Sequence, residues 1–209
     1  MKKSAFYFFT TMQLPVIDMF YSLQGEGRNT GMAAYFIRLS GCNVGCDFCD
    51  EKRAWSVNNS PMLSISQIMD EVLKTKTKNV VITGGEPTLY DLTELTNELK
   101  ANNIDTFLET SGVNDICGNF TWITLSPKKK KQPKKENLQK ADELKIVIET
   151  KEDFLFADQM RLLTNPNCLY YLQPEYSNKE KTLQLIIDYI KQNPIWRLSL
   201  QTHKMINIK

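Results

Sequence analysis

The stretch Ala33-Ala-Tyr-Phe-Ile-Arg-Leu-Ser-Gly-Cys42-Asn-Val-Gly-Cys46-Asp-Phe-Cys49 runs a short apolar segment straight into three cysteines within eight positions. Ala33–Leu39 reads as the first strand of the chain. A second segment, Val80-Val81-Ile82-Thr83, reads as a buried strand and ends on Gly84-Gly85-Glu86-Pro87. Both segments are apolar on consecutive residues rather than alternating, the pattern of parallel strands covered on both faces.

The same grammar continues outward. Ser64 with Gln67 three residues on forms a capping box, and Ile65, Ile68, Met69, Val72 and Leu73 follow at helical spacing. Asp91 is placed to cap a helix carrying Leu92, Leu95 and Leu99. Ile104–Leu108 and Trp122–Leu125 read as strands with little helix between them. Leu144–Ile148 is a strand, then a helix near Glu152–Leu163, a strand at Leu169–Leu172, a helix through Leu183, Ile186, Ile187 and Ile190, and a last strand at Ile195–Leu200. Alternation of this kind predicts an α/β fold with parallel strands.

Five strands finish in polar or glycine-rich clusters: Thr83-Gly84-Gly85-Glu86, Glu109-Thr110-Ser111-Gly112, Ser126-Pro127-Lys128, Gln173-Pro174-Glu175 and Gln201-Thr202-His203. Any one of them is an ordinary turn. Five together point to a site, because parallel α/β folds build their sites at the carboxyl ends of the strands. With helices missing, a partial, incomplete β/α barrel with a reduced helix set fits 209 residues better than a closed eightfold one.

Composition narrows the class. The chain is 42% hydrophobic and 24% charged with net charge +2, enough to bury a core and too balanced to imply a polyanionic partner. No apolar run reaches the roughly 20 residues of a membrane span. Residues 1–11 are set apart as an N-terminal extension, too short in apolar length for a signal peptide, and 12–209 as a single domain. The reading is cytoplasmic, in line with five cysteines in no disulfide-like framework. Lys129–Lys131 and Lys134-Lys135 read as a solvated loop. They lack the interleaved aromatic residues that would suggest nucleic acid.

Three thiolates spaced C-x3-C-x2-C leave a zinc site one ligand short. Zinc would need Cys117, Cys168 or the lone histidine, His203, to fold back. An iron–sulfur cluster held by three cysteines instead leaves one iron chemically open. This cysteine spacing after one strand, with Gly-Gly-Glu-Pro after the next and the aromatic Phe48 before Cys49, resembles the radical S-adenosylmethionine (SAM) superfamily. Leu23-Gln24-Gly25-Glu26-Gly27, Arg38, Glu109-Thr-Ser-Gly, Ser126-Pro-Lys128, Gln173-Pro-Glu175 and Gln201-Thr-His203-Lys further resemble the 7-carboxy-7-deazaguanine synthases, over about residues 14–207.

The resemblance implies a carbon–nitrogen lyase that converts 6-carboxy-5,6,7,8-tetrahydropterin to 7-carboxy-7-deazaguanine with release of ammonia, on the route to queuosine. It implies that Cys42, Cys46 and Cys49 hold a 4Fe–4S cluster. It places SAM against Phe48, Cys49, Asp50, Gly84, Gly85, Glu86, Ser126, Pro127, Lys128, Gln173, Pro174, Glu175 and Tyr176. The pterin falls to Leu23, Gln24, Gly25, Glu26, Arg38, Thr83, Glu109 and His203, with Glu26, Glu109 and His203 as the catalytic set. Arg38 suits a substrate carboxylate, and the glutamates suit a guanidine-like edge. A homodimer and a flavodoxin- or ferredoxin-type electron donor are also implied. Glu51 stands where many members carry a Ser or Thr that binds Mg²⁺, so either Glu51 holds Mg²⁺ in a different geometry or the metal is dispensable here. The alternatives are a small radical SAM activase of a partner protein and, from another class, a zinc-stabilised binding module.

Overall fold

The computed structural model describes residues 12–58 and 60–209; the extension read at residues 1–11 lies outside them. The strands are β1 (Gln13–Leu23), β2 (Ala33–Leu39), β3 (Met62–Ser64), β4 (Asn79–Gly84), β5 (Asp105–Thr110), β6 (Trp122–Leu125), β7 (Glu143–Ile148), β8 (Leu169–Pro174) and β9 (Trp196–Leu198). They form one open sheet in the order β3-β1-β2-β4-β5-β6-β7-β8-β9. From β2 to β9 every pairing is parallel. The expected partial barrel is therefore present.

Two strands were not legible. β1 precedes the segment read as first and runs antiparallel to both β2 and β3. Pro15 disguises it, since proline cannot donate to a ladder and normally argues against a strand. Here the residue sits just before a register break between Val16 and Asp18, and its carbonyl accepts from the Ser40 amide.

The helices are α1 (Ile65–Leu73), α2 (Thr93–Ala101), α3 (Lys135–Lys140), α4 (Glu152–Arg161), α5 (Lys179–Gln192) and α6 (Thr202–Met205). Ser64 makes the full capping box with Gln67. Leu73, counted on the apolar face, is exposed, whereas Ile65, Ile68, Met69 and Val72 are buried. Asp91 accepts from the Thr93 amide, but the cap position itself is Leu92. The closing strand is shorter than expected and hands over to α6, which carries His203. No helix among the described residues is long and apolar enough to cross a membrane.

The sheet has two unlike faces, and strand periodicity sorts them. Tyr35, Ile37, Leu39, Val80, Ile82, Leu108, Leu144 and Ile146 pack into the large core under the helices. The alternate residues face the concave side. There Ala34, Phe36 and Val81 make a small apolar cluster, and one step further along each strand stand Arg38, Thr83 and Glu109, with Glu143 and Lys145 on β7. Register aligns Arg38 with Thr83, and Glu109 with Thr124, which in turn faces Glu143. Burying one face of the sheet thus aims a row of polar side chains out of the other.

Candidate active site

A cavity of about 700 Å³ opens on that concave face at the carboxyl ends of the strands. Its walls include every site residue named from the sequence except Pro127, which is buried beside it between Ser126 and Lys128.

Cys42, Cys46 and Cys49 all contribute to one wall. Their loop is fixed at its base, where the Gly41 amide donates to Ala54 O (2.8 Å) and the Cys42 amide to Trp55 O (3.1 Å). Two thiols already accept hydrogen bonds, Cys49 Sγ from Trp55 Nε1 at 3.3 Å and Cys42 Sγ from the Val44 amide at 3.5 Å. Such N–H···S contacts hold cluster thiolates in place and tune them. Lys129–Lys131, Lys134 and Lys135 are exposed, as a solvated loop should be, yet two of them also reach the cysteine loop. Lys130 Nζ donates to Gly45 O and Asp47, and Lys131 Nζ to Asn43 O, so two lysines clamp the cysteine loop from outside. Lys129 pairs with Asp153, and Lys135 begins α3.

The Gly84–Glu86 loop interlocks with the same base. The Gly85 amide donates to Leu39 O (2.9 Å) and the Glu86 amide to Gly41 O (2.8 Å). Gly84 has φ +140°, a conformation open to glycine alone. Glu86 is fully buried and braces the loop: its carboxylate accepts from the Thr88 amide and hydroxyl, the Thr110 and Ser111 hydroxyls and the Ser111 amide. Those donors pin Gly-Gly-Glu-Pro to the end of β5.

Across the cavity, Lys128 Nζ donates to Ser126 O (2.7 Å) and Ser126 Oγ (2.6 Å), facing the Phe48 ring at 5.9 Å. Burial pulls its pKa down. Gln173 accepts from Ser199 Oγ, and Glu175 caps the short turn at Tyr176–Asn178. The Tyr176 ring lies 4.3 Å from each of Lys179 Nζ and Lys204 Nζ. Asp50 is held by Lys204 (2.7 Å) and Gln201 (3.3 Å), tying the cysteine loop to α6.

At the floor, Arg38 lies 5.8 Å over Phe20, and its Nε is buried with no hydrogen-bond partner. A donor left unsatisfied in a cavity wall is expensive unless a ligand completes it. His203 packs on Gly25, where any added Cβ would stand 2.1 Å from Nδ1. Burial lowers its pKa against the pull of Glu26, leaving the imidazole neutral at pH 7. Glu51 is taken up otherwise: Arg53 donates to Oε1 at 2.8 Å and to Oε2 at 2.7 Å, with Arg38 Nε 3.9 Å away. Arg53 is mostly exposed, so this ion pair competes with Mg²⁺ for the Glu51 carboxylate.

The sequence reading passed over Lys145 and Glu143. Lys145 is 4% exposed and donates to Glu26 Oε2 (2.6 Å) and Glu109 Oε2 (2.9 Å). Its only sequence signal is a charge inside the apolar strand Glu143–Ile148, the signal that exposed Arg38. Burial opposes the Glu26 charge, yet Lys145 and Gln201 together bring its pKa to about 2. Glu109 moves up, through burial and the neighbouring Glu26.

Glu143 is 1% exposed, accepts from the Arg28 amide at 3.0 Å, and is pushed up to about 7, chiefly by burial. The folded chain therefore keeps this proton after the unfolded chain has lost it, and stability falls as pH rises from about 4.5 to 7. Glu143→Gln removes the penalty, with an upper limit of roughly 3 kcal/mol. Thermal melts should show the variant gaining on the parent between pH 5 and pH 8. A constant difference across that range would contradict the assignment.

The Radical SAM superfamily model matches residues 36–206. The chain belongs to the radical SAM superfamily. Within it, the chain is 46% identical over 195 residues to the 7-carboxy-7-deazaguanine synthase of Flavobacterium psychrophilum, covering 93% of this chain and 92% of the relative. It is 35% identical to that of Escherichia coli K12, covering 94% of this chain and all of the relative. A crystal structure of QueE from Escherichia coli superposes with a TM-score of 0.84 at 33% identity, covering 91% of this chain and 94% of that one. The chain is a member of the 7-carboxy-7-deazaguanine synthase family, and a radical SAM family implies a 4Fe–4S cluster, SAM and a one-electron donor.

Proposed function

We infer that the protein is a 7-carboxy-7-deazaguanine synthase, a lyase that takes 6-carboxy-5,6,7,8-tetrahydropterin to 7-carboxy-7-deazaguanine and ammonia in 7-deazapurine (queuosine) biosynthesis. The observation that carries this reading is the concave row of side chains. It sets Arg38, whose buried Nε has no hydrogen-bond partner, apart from a pair of carboxylates, Glu26 and Glu109. A pterin bearing a carboxylate at one end and a guanidine-like donor edge at the other matches that polarity.

When bound, the cluster and SAM would supply one-electron chemistry able to break a carbon–hydrogen bond of the pterin. The chain's own residues do the rest. Cys42, Cys46 and Cys49 would hold the cluster through three thiolates, with SAM bound beside it. Gly84 and Gly85 let their loop seat against Leu39 and against Gly41 and Ala54 at the base of the cysteine loop, and with Phe48, Asp50, Ser126, Pro127, Lys128 and Gln173–Tyr176 they form the SAM wall. Arg38 Nε takes the substrate carboxylate. Leu23, Gln24, Gly25 and Thr83 shape the pterin slot. His203 offers a neutral imidazole nitrogen for a hydrogen bond or a proton. The family reading also gives a homodimer fed by a flavodoxin- or ferredoxin-type donor, and one catalytic domain over residues 12–209.

The test is anaerobic turnover of reconstituted protein with SAM, reductant and 6-carboxytetrahydropterin. Product of the mass of 7-carboxy-7-deazaguanine is expected. Because Arg53 already neutralises Glu51, the rate should change less than about 2-fold between added Mg²⁺ and EDTA. No product from protein with a full cluster would reject the substrate, and a Mg²⁺ requirement would return Glu51 to the metal.

A further inference from the structure

Lys145 is the most deeply buried cation of the cavity, and nothing in the family motif marks it. Its side chain is 5% exposed, against 18% for Glu26 and 20% for Glu109, the two carboxylates it bridges. The remaining oxygen of each carboxylate is held as well, Glu26 Oε1 by Gln201 Nε2 at 2.8 Å and Glu109 Oε1 by Gln24 Nε2 at 3.2 Å. One ammonium on β7 therefore fixes groups from the loop after β1 and the end of β5, while Gln201 ties in the segment before α6. A buried lysine in mid-sheet is costly unless paired this closely.

The chemistry explains why a cation belongs there. Two carboxylates sharing one buried site repel, and without a counter-ion one of them takes up a proton. A protonated carboxyl presents an O–H towards the substrate, where the amino and ring N–H groups of a pterin's pyrimidine edge need acceptors. An ammonium shared between the two removes that conflict. It leaves lone pairs on both carboxylates and fixes their spacing.

We propose that Lys145 is a positioning residue that holds Glu26 and Glu109 as a paired acceptor for the donor edge of the pterin, and so sets specificity for a 2-amino-4-oxo-pyrimidine. The proposal rests on the function inferred above. Other titratable groups facing this centre are Glu143 on β7, His203 on α6, Lys128 after β6 and Asp50 in the cysteine loop, which shares Gln201 Nε2 with Glu26.

The test compares Lys145→Met with Glu109→Gln and with the double variant, which keeps the charge balance and guards against loss of the fold. KM for 6-carboxytetrahydropterin should rise about 10²-fold in Lys145→Met, while SAM affinity and cluster content stay at parental values. The same KM should fall as pH is raised from 6 to 9, as the trapped proton leaves, whereas the parent stays flat. The double variant should match Glu109→Gln in KM instead of summing the two losses, and Lys145→Arg should recover part of the affinity. A parental KM and pH profile in Lys145→Met, or additive losses in the double variant, would overturn the proposal. Failure of the parent itself to bind or convert the pterin would be separate, removing the function reading and this inference with it.

Discussion

Replacing Cys42, Cys46 or Cys49 with Ala, one at a time, should cost at least about 10³-fold in turnover and bleach the broad absorbance of the iron–sulfur cluster. The three thiols are the ones in the cavity wall; Cys117 lies on the surface and Cys168 in the core. Burial pushes the Cys168 thiol up to about 12, far from the thiolate a metal needs. Cys117→Ala and Cys168→Ala should therefore keep full iron and sulfide content. Iron and sulfide analysis beside each rate separates loss of the cluster from loss of the fold. A loop variant retaining cluster and rate, or a Cys168 variant losing both, would show that the cluster had been assigned to the wrong cysteines.

Gly85→Ala should be comparably severe through packing alone. An added Cβ would stand 2.2 Å from Gly41 O and 2.5 Å from Ala54 O, both main-chain atoms in the base of the cysteine loop. Neither can rotate away, so the loop must separate from the Gly-Gly-Glu-Pro turn. The expected cost is about 3–5 kcal/mol, roughly a 10 °C drop in Tm for a chain of this size, together with loss of SAM binding. Gly31→Ala is the control: its Cβ meets nothing within 4 Å, and only its φ of +89° is unfavourable. About 1 kcal/mol is expected there, with SAM affinity intact. A loss at Gly85 no larger than at Gly31 would contradict the interlock of the two loops, since Gly85 carries no positive φ of its own.

What could be read in advance follows the range of the interactions. β2, β4, β6 and β7 announce themselves because the parallel centre of the sheet is buried on both faces. Strand-end motifs locate the cavity because parallel connections return every strand in the same direction. Pro15 concealed β1, since the register break that tolerates it depends on partners across the sheet. The contacts of the exposed lysine run are hidden for a similar reason. Lys130 and Lys131 find their acceptors more than 80 residues away in the cysteine loop. Arg53, two positions on, pairs with Glu51, a contact that the spacing alone does not announce. Lys145 needed Glu26 and Glu109 brought together before its position had meaning. Local rules recover elements and motifs; which charges neutralise which is settled only by the fold.

The most direct measurement follows the C6 hydrogen. With 6-carboxytetrahydropterin deuterated at C6, SAM held below stoichiometric amounts and reductant supplied anaerobically, 7-carboxy-7-deazaguanine is expected in excess of SAM, with deuterium recovered in the SAM pool. Stoichiometric conversion of SAM to 5′-deoxyadenosine, without deuterium transfer and without the deazaguanine, would contradict that expectation.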